Sequence, residues 1–214
     1  MQEAKYYEML VGIDEAGRGP LAGPVAVAAV AFRGAPESQK AIYAIFRKIK
    51  DSKKLSREKR ERWFQKMVGA RERGHIDFAV SLVGPEVIDQ TSIVQAIDIA
   101  IGRILKRLAL HPKKTSILLD GSLRAPKIYP FQETIIKGDE KRKIIAMASV
   151  IAKVSRDKKM LRYAEEFEQY GFDSHKGYGT YAHYEAIRKY GPCKIHRRTF
   201  LTDREGRWSR QAQV

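Results

Sequence analysis

The chain has 214 residues, of which 43% are hydrophobic, and this size suits one domain with a small appendage. Its 41 Lys and Arg residues outnumber 25 Asp and Glu residues, and the net charge of +16 favours a polyanionic partner such as nucleic acid over a basic enzyme without one. The single cysteine, Cys193, excludes an internal disulfide and a thiolate-based zinc site, and the lack of a signal sequence or long apolar run leads us to expect a cytoplasmic protein without a membrane partner.

The first half of the chain alternates predicted strands with turns and one helix. The apolar residues 9–13 predict a buried strand, and the valine-rich residues 25–32 predict a second one. Glycines and prolines in residues 16–24 turn the chain between them, so a hairpin-like start is expected. Residues 56–68 predict a helix with a serine N-cap, and Ile76–Val83 predicts a third strand that ends at a Gly-Pro pair.

The second half is dominated by helices. Residues 93–108 repeat apolar side chains at three- and four-residue steps, which is typical of an amphipathic helix. Short strands are predicted at 116–119 and 133–136. Apolar side chains from 147 to 167 line a second long helix, whose first turns hold small residues and should pack closely. Tyr181–Tyr190 predicts a further helix, so the order indicates a mixed α/β domain with a small helical C-terminal part.

Acidic residues occur where predicted strands or helices meet loops, and functional sites of α/β folds gather at such places. Asp120-Gly121 is also explained by a turn, and Asp139 by the dipole of the following helix. Asp14 and Glu15 are harder to explain in this way. Adjacent side chains of a regular strand face opposite sides, so one of the two would point toward the core unless the strand bends or something positive binds.

Carboxylates that gather in one cleft repel one another, which raises their pKa values, and a divalent cation removes that penalty. Ligands that are all oxygen select Mg²⁺ or Mn²⁺ rather than zinc. Two such ions can activate a water and stabilise the leaving oxygen of a phosphodiester. A basic protein with an acidic centre is therefore typical of a metal-dependent phosphodiesterase. A non-catalytic nucleic-acid-binding module would explain the charge, but it would not explain the carboxylates.

Six segments resemble the ribonuclease HII family and follow the order of that family. They are residues 12–25 (GIDEAGRGPLAGPV), 51–56 (DSKKLS), 119–121 (LDG), 137–139 (KGD), 148–157 (ASVIAKVSRD) and 175–180 (HKGYGT). Ribonuclease HIII, a close relative, usually carries an extra N-terminal domain and a different glycine motif. The acidic pair near the start of this chain and its Gly-Arg-Gly loop favour the HII type. Another nuclease of this fold would lack the combination of that loop with the Tyr178 block.

The resemblance implies a ribonuclease H-like fold: a mixed five-stranded sheet flanked by helices within residues 1–170, and a helical C-terminal extension within residues 171–214 with a polar tail from about 203. It implies an endonuclease that cuts the RNA strand of RNA–DNA hybrids and the 5′ side of single ribonucleotides in duplex DNA. A two-metal mechanism with Mn²⁺ or Mg²⁺ would leave 5′-phosphate and 3′-hydroxyl ends, and a monomer is expected. The implied metal-binding and catalytic residues are Asp14, Glu15, Asp120 and Asp139.

The resemblance also implies that Gly17, Arg18 and Gly19 grip the RNA–DNA junction and that Tyr178 stacks on the next deoxyribose. Glycines let the backbone approach the 2′-OH, the group that distinguishes RNA from DNA. A plain tight turn would need the same glycines, and Tyr178 could equally be a half-buried aromatic beside a turn.

Basic residues near these segments are candidates for phosphate contacts, which fix the position of the substrate but not its sequence. Lys153 also has the spacing of an ordinary helical ion pair with Asp157. The candidates are Lys53, Lys153, Arg156 and Lys176.

Overall fold

A computed structural model describes residues 7–33, 36–49, 52 and 55–201, and its five strands form one mixed sheet in the order β3-β2-β1-β4-β5. β1 pairs antiparallel with β2 and parallel with β4; β2–β3 is antiparallel and β4–β5 is parallel. The expected mixed five-stranded sheet is therefore confirmed. The strands are β1 (Met9–Ala16), β2 (Val25–Arg33), β3 (Ile76–Val83), β4 (Thr115–Asp120) and β5 (Gln132–Ile135).

Helices cover both faces of the sheet, as expected. Those in the described part of the chain are α1 (Pro36–Ile45), α2 (Arg57–Glu72), α3 (Pro85–Gln90), α4 (Ile93–Arg107), α5 (Gly138–Lys141), α6 (Lys143–Glu166), α7 (Phe172–His175) and α8 (Tyr181–Tyr190). Within these ranges no helix combines the length and apolarity that a bilayer crossing requires.

One face of the sheet packs against α4. Ile97, Ile101 and Ile104 of this helix are buried in the same cluster as Val27 and Ala29 of β2. Alternate residues of a strand share one face, and the apolar stripe of α4 recurs at helical spacing, so the two patterns meet in a single core. The Ser92 side chain caps α4 by accepting a hydrogen bond from Gln95 N.

The opposite face packs against α6, and the contact is close because small residues line both sides. A Cβ atom added at Gly12 of β1 would lie 2.6 Å from the backbone carbon of Ile144. Ala148 and Ala152 of α6 are fully buried in the cluster on this face. The close packing that the small residues predicted is confirmed, and it seats α6 directly on the strand that carries Asp14.

A third apolar cluster joins the C-terminal segment to the rest of the chain. Phe172 and Ile187 pack there with Met160 of α6 and with Leu21 from the loop between β1 and β2. The C-terminal helices therefore lie against the glycine-rich loop. The polar tail from about residue 203 lies outside the described residues.

The structure departs from the predicted elements at several places. β1 continues to Ala16, because its ladder with β2 extends through the pairs Asp14–Ala28 and Glu15–Val27. The Gly-Pro pair after β3 starts α3 rather than a loop, since proline at a first helical position is already in the required conformation. The short helices α1 and α5 were not predicted, and α6 begins at Lys143 rather than at residue 147.

Candidate active site

Three carboxylates from distant parts of the chain meet at one end of the sheet. One oxygen each from Asp14, Asp120 and Asp139 lies within 4.8 Å of the other two. β1 and β4 are parallel neighbours with Ile13 opposite Leu119, which brings Asp14 and Asp120 to the same end of adjacent strands. These three predicted site residues are brought together.

A chain of buried hydroxyls holds the Asp14 carboxylate. Its Oδ1 accepts a hydrogen bond from Glu15 N at 2.7 Å, and the Ser149 hydroxyl also bonds to the side chain. Ser149 in turn lies 2.8 Å from the hydroxyl of Ser52. Sequence reasoning weighed Ser149 only for its small size, because nothing local to α6 indicates a contact with β1.

A tight backbone approach brings Asp139 to Asp120. The Asp120 Oδ1 atom accepts a hydrogen bond from Gly138 N at 2.6 Å. A Cβ at Gly138 would lie only 2.6 Å from the Ile145 Cδ1 atom, and the preceding Lys137 has a left-handed φ of 55°. A side chain at position 138 would therefore displace the end of Ile145, so glycine suits the place where the chain enters α5, directly before Asp139.

Glu15 lies beside this set of three carboxylates rather than within it. Its side chain is 17% exposed and forms a 3.9 Å ion pair with Arg18. Burial, and then the charge of Asp120, raise the pKa of Glu15, while Arg18 acts in the opposite direction. Glu15 is thus electrostatically part of the site.

The same forces act more strongly on Asp14, which is 4% exposed. Burial raises the pKa of Asp14 well above its usual value, and the charges of Glu15 and Asp120 raise it further. Buried carboxylates that lie this close together repel one another, and an all-oxygen donor set suits Mg²⁺ or Mn²⁺. The residues present fit a divalent metal centre.

The Gly-Arg-Gly loop follows the acidic pair immediately. Gly17 has a φ of +90°, and a Cβ atom there would lie 2.0 Å from the Arg156 Nε atom, so it is required for more than a turn. An added Cβ at Gly19 would meet no atom within 4 Å, which leaves this part of the loop open. The Arg18 guanidinium approaches Ser122 Oγ at 3.3 Å.

Tyr178 lies next to this loop and is 43% exposed. The carbonyl oxygen of the preceding residue, Gly177, accepts a hydrogen bond from Leu21 N at 2.8 Å. The Tyr178 carbonyl accepts hydrogen bonds from Thr180 N and from His183 Nδ1. The C-terminal segment thereby presents a partly exposed ring beside the glycine loop.

The predicted basic residues fall in different environments. Lys153 forms a 2.8 Å ion pair with Asp157, the alternative that its spacing left open, and the Lys176 ammonium donates to the carbonyl of Asp173. Arg156 is completely buried, and this burial does not fit a direct phosphate contact because no part of its side chain reaches the surface. Lys53 lies outside the described residues.

Arg197 and the histidine pair His183–His196 are buried polar residues that sequence reasoning missed. The two imidazole Nε2 atoms lie 3.0 Å apart, and Arg197 bonds to carbonyls 174 to 180 residues earlier in the chain. No local periodicity could indicate contacts across such separations.

Known proteins resemble this chain in sequence and in fold. The family model described as Ribonuclease HII matches residues 11–203. The Ribonuclease HII of Endomicrobium trichonymphae is 44% identical over 196 residues, which cover 92% of this chain and 87% of that protein. The crystal structure of ribonuclease H2 from Pyrococcus horikoshii OT3 has a TM-score of 0.70 at 27% identity and covers 94% of this chain and 99% of its own.

The solved PCNA:RNase HII complex from Archaeoglobus fulgidus contains a chain with the same TM-score of 0.70 and 27% identity, covering 92% of this chain and 96% of its own. These matches extend over the acidic cluster, the glycine loop and the Tyr178 segment together, which confirms the resemblance of the six sequence segments. The chain therefore belongs to the ribonuclease HII family, whose members are hydrolytic endoribonucleases of the ribonuclease H type.

Proposed function

We propose that the protein hydrolyses the RNA strand of RNA–DNA hybrids and cuts duplex DNA on the 5′ side of a single embedded ribonucleotide, leaving 5′-phosphate and 3′-hydroxyl ends. The main observation behind this proposal is that carboxylate oxygens of Asp14, Asp120 and Asp139 lie within 4.8 Å of one another. The glycine loop follows Asp14 and Glu15 in the chain. Such an activity would serve ribonucleotide excision from DNA.

The metal site would be formed by Asp14, Asp120 and Asp139, with Glu15 as a fourth carboxylate, and would take Mn²⁺ or Mg²⁺. Two such ions, when bound, supply an activated water and stabilise the leaving oxygen of the phosphodiester. The Ser52–Ser149 hydroxyl pair would hold the Asp14 carboxylate in one orientation, as outer hydrogen bonds do at metal sites.

Substrate recognition would come from the loop and the exposed ring. The backbone of Gly17, Arg18 and Gly19 would approach the ribose, and its polar groups would bond to the 2′-OH. The Tyr178 ring would pack on the following deoxyribose, where no hydroxyl keeps the ring away. Lys153 and Lys176, and Lys53 from outside the described residues, would contribute positive charge to the phosphate backbone.

The two parts of the chain would have different roles. Residues 1–170 would form the catalytic domain, and the extension from residue 171 would supply Tyr178. The acidic cluster, the glycine loop and Tyr178 all come from one chain, which supports a monomer as the active form.

A nicking assay tests the proposal directly. A labelled DNA duplex with one ribonucleotide should be cut on the 5′ side of that ribonucleotide with Mn²⁺ or Mg²⁺, and not with EDTA. Asp14→Asn and Asp120→Asn should abolish cutting while binding remains. Asp98→Asn is a matched control, since Asp98 is an exposed residue of α4 on the opposite face of the sheet.

The same assay separates an enzyme from a binding module. Strong binding of both substrates without cutting under any metal would support a non-catalytic nucleic-acid-binding protein. Cutting that persists in both Asp variants and in EDTA would refute the acidic cluster as the reaction centre.

A further inference from the structure

Two fully buried arginines lie beneath the glycine loop. Arg156 of α6 and Arg197 of the segment after α8 are both 0% exposed. Their guanidinium groups donate hydrogen bonds to six main-chain carbonyls, those of Ala22, Pro24 and Lys176 from Arg156 and those of Gly17, Arg18 and Gly23 from Arg197. Five of the six carbonyls belong to the loop between β1 and β2.

Arg197 determines which way two peptide units of this loop face. It donates to the Gly17 carbonyl at 2.6 Å and to the Arg18 carbonyl at 2.9 Å, so both oxygens point toward the buried guanidinium. In a trans peptide the N–H of the next residue points away from that oxygen. The N–H groups of Arg18 and Gly19 are therefore directed away from Arg197, toward the open side of the loop.

Arg156 joins the loop to the aromatic residue of the extension. Its Nε atom would lie 2.0 Å from a Cβ at Gly17, and its Cζ atom lies 5.7 Å from the centroid of the Tyr178 ring. The same guanidinium also donates to the Lys176 carbonyl at 3.0 Å. One rigid planar group thus contacts both the glycine loop and the segment that carries Tyr178.

Burial of the two positive charges costs free energy, so packing alone does not explain why arginines occupy these positions. Neither arginine forms an ion pair with another residue of the described ranges. Burial, and then the positive charge of Arg156, lower the pKa of Arg197. Guanidinium is the side-chain group whose five donors in a fixed fork can hold several carbonyls at once, whereas lysine offers a single nitrogen.

We propose that Arg156 and Arg197 are positioning residues for substrate recognition. They aim the N–H groups of the glycine loop at the 2′-OH, and they set the separation between this loop and Tyr178. In this way they determine selectivity for a single ribonucleotide. This inference rests on the proposed function. A continuous hybrid offers many ribonucleotides in successive registers, so its cleavage depends less on one exact junction geometry.

Selectivity is the quantity to measure. The kcat/KM values of Arg197→Lys and Arg156→Lys are compared with wild type on a single-ribonucleotide duplex and on a continuous RNA–DNA hybrid. Misplaced recognition groups reduce rates steeply, so we expect a loss of about tenfold or more on the single ribonucleotide and a loss several times smaller on the hybrid. Equal losses on both substrates, or no loss on either, would overturn the proposal.

A matched control separates positioning from simple destabilisation. Ile187→Ala removes apolar contacts in the same C-terminal cluster, but it leaves both guanidinium groups intact. At a temperature where circular dichroism shows every variant folded, the control should keep the wild-type ratio of the two kcat/KM values. A control that shifts this ratio as much as Arg197→Lys does would show that the effect is only structural. If wild type cuts neither substrate, the proposed function itself fails.

A measurement on the unmodified protein covers the case in which the arginine variants do not fold. Backbone amide signals of Arg18 and Gly19 are followed by ¹⁵N NMR as duplex is added in EDTA, which prevents cutting. They should shift with a duplex that contains one ribonucleotide and shift less with the same duplex made only of DNA. Equal shifts with both duplexes would overturn the proposed contact between these N–H groups and the 2′-OH.

Discussion

Replacement of Asp14 by Asn should stabilise the metal-free protein while it abolishes metal binding. Asp14 is 4% exposed, and the carboxylates of Asp120 and Asp139 lie beside it in the cluster. The amide keeps the shape of the side chain and can still accept the hydrogen bonds from Glu15 N and Ser149. The substitution therefore removes a buried charge without removing its hydrogen-bond partners.

The magnitude follows from the separation of the oxygens. Two unit charges 4.8 Å apart repel by about 3 kcal/mol at an effective dielectric constant of about 20. Burial and these charges raise the pKa of Asp14, so removal of its charge is expected to stabilise the metal-free protein by about 1–3 kcal/mol. For a chain of this length such a gain raises the Tm by roughly 2–12 °C.

Thermal unfolding with EDTA or with Mn²⁺ measures both effects. Wild type should gain about 3 kcal/mol when Mn²⁺ is about 100 times its Kd. Asp14→Asn should melt higher than wild type in EDTA and should gain little from Mn²⁺, while Asp98→Asn should match wild type in both conditions. An Asp14→Asn protein that melts lower than wild type in EDTA, or that gains as much from Mn²⁺, would refute the account of the cluster as a charge-strained metal site.

Three further predictions concern the loop, the buried histidines and the exposed ring. Gly17→Ala should lower the free energy of unfolding by about 1–3 kcal/mol, because residue 17 has a φ of +90° and an added Cβ would overlap Arg156. Gly19→Ala should change the free energy of unfolding by less than about 0.5 kcal/mol, because an added Cβ meets no atom there. Equal effects of the two substitutions in denaturant titrations would contradict this prediction. Burial lowers the pKa of His183 and of His196 to about 4 from 6.5, so unfolding takes up protons between these values and stability should rise with pH across that window. The increase of stability with pH should be shallower in His183→Gln than in wild type. Urea titrations at several pH values measure it, and the same pH dependence in both proteins would count against neutral buried imidazole rings. Tyr178→Ala should lower cleavage at a single ribonucleotide more than cleavage of a long hybrid, whereas Tyr178→Phe should retain the preference; equal losses on both substrates in Tyr178→Ala would argue against stacking.

Much of the fold was predictable because its signals are local. The apolar stripe of α4 and the runs of β1, β2 and β3 reflect periodicities that a window of a few residues contains. The position of Asp120 at the end of β4 was equally predictable. The end of β1 could not be predicted, because its last residue pairs depend on the register with β2. That register is determined by two segments of the chain and not by either one alone.

The sequence by itself determined the main strands and helices, the acidic residues and the family, since each depends on neighbouring residues or on motifs in a fixed order. Only the tertiary structure decided that Arg156 lies beneath the glycine loop, out of reach of phosphates, and that Arg197 joins it there. The same holds for the Ser52–Ser149 pair, whose members lie 97 positions apart. Such contacts form where the chain returns to itself, and the cost or benefit of burying a polar group there depends on partners that have no fixed spacing along the sequence.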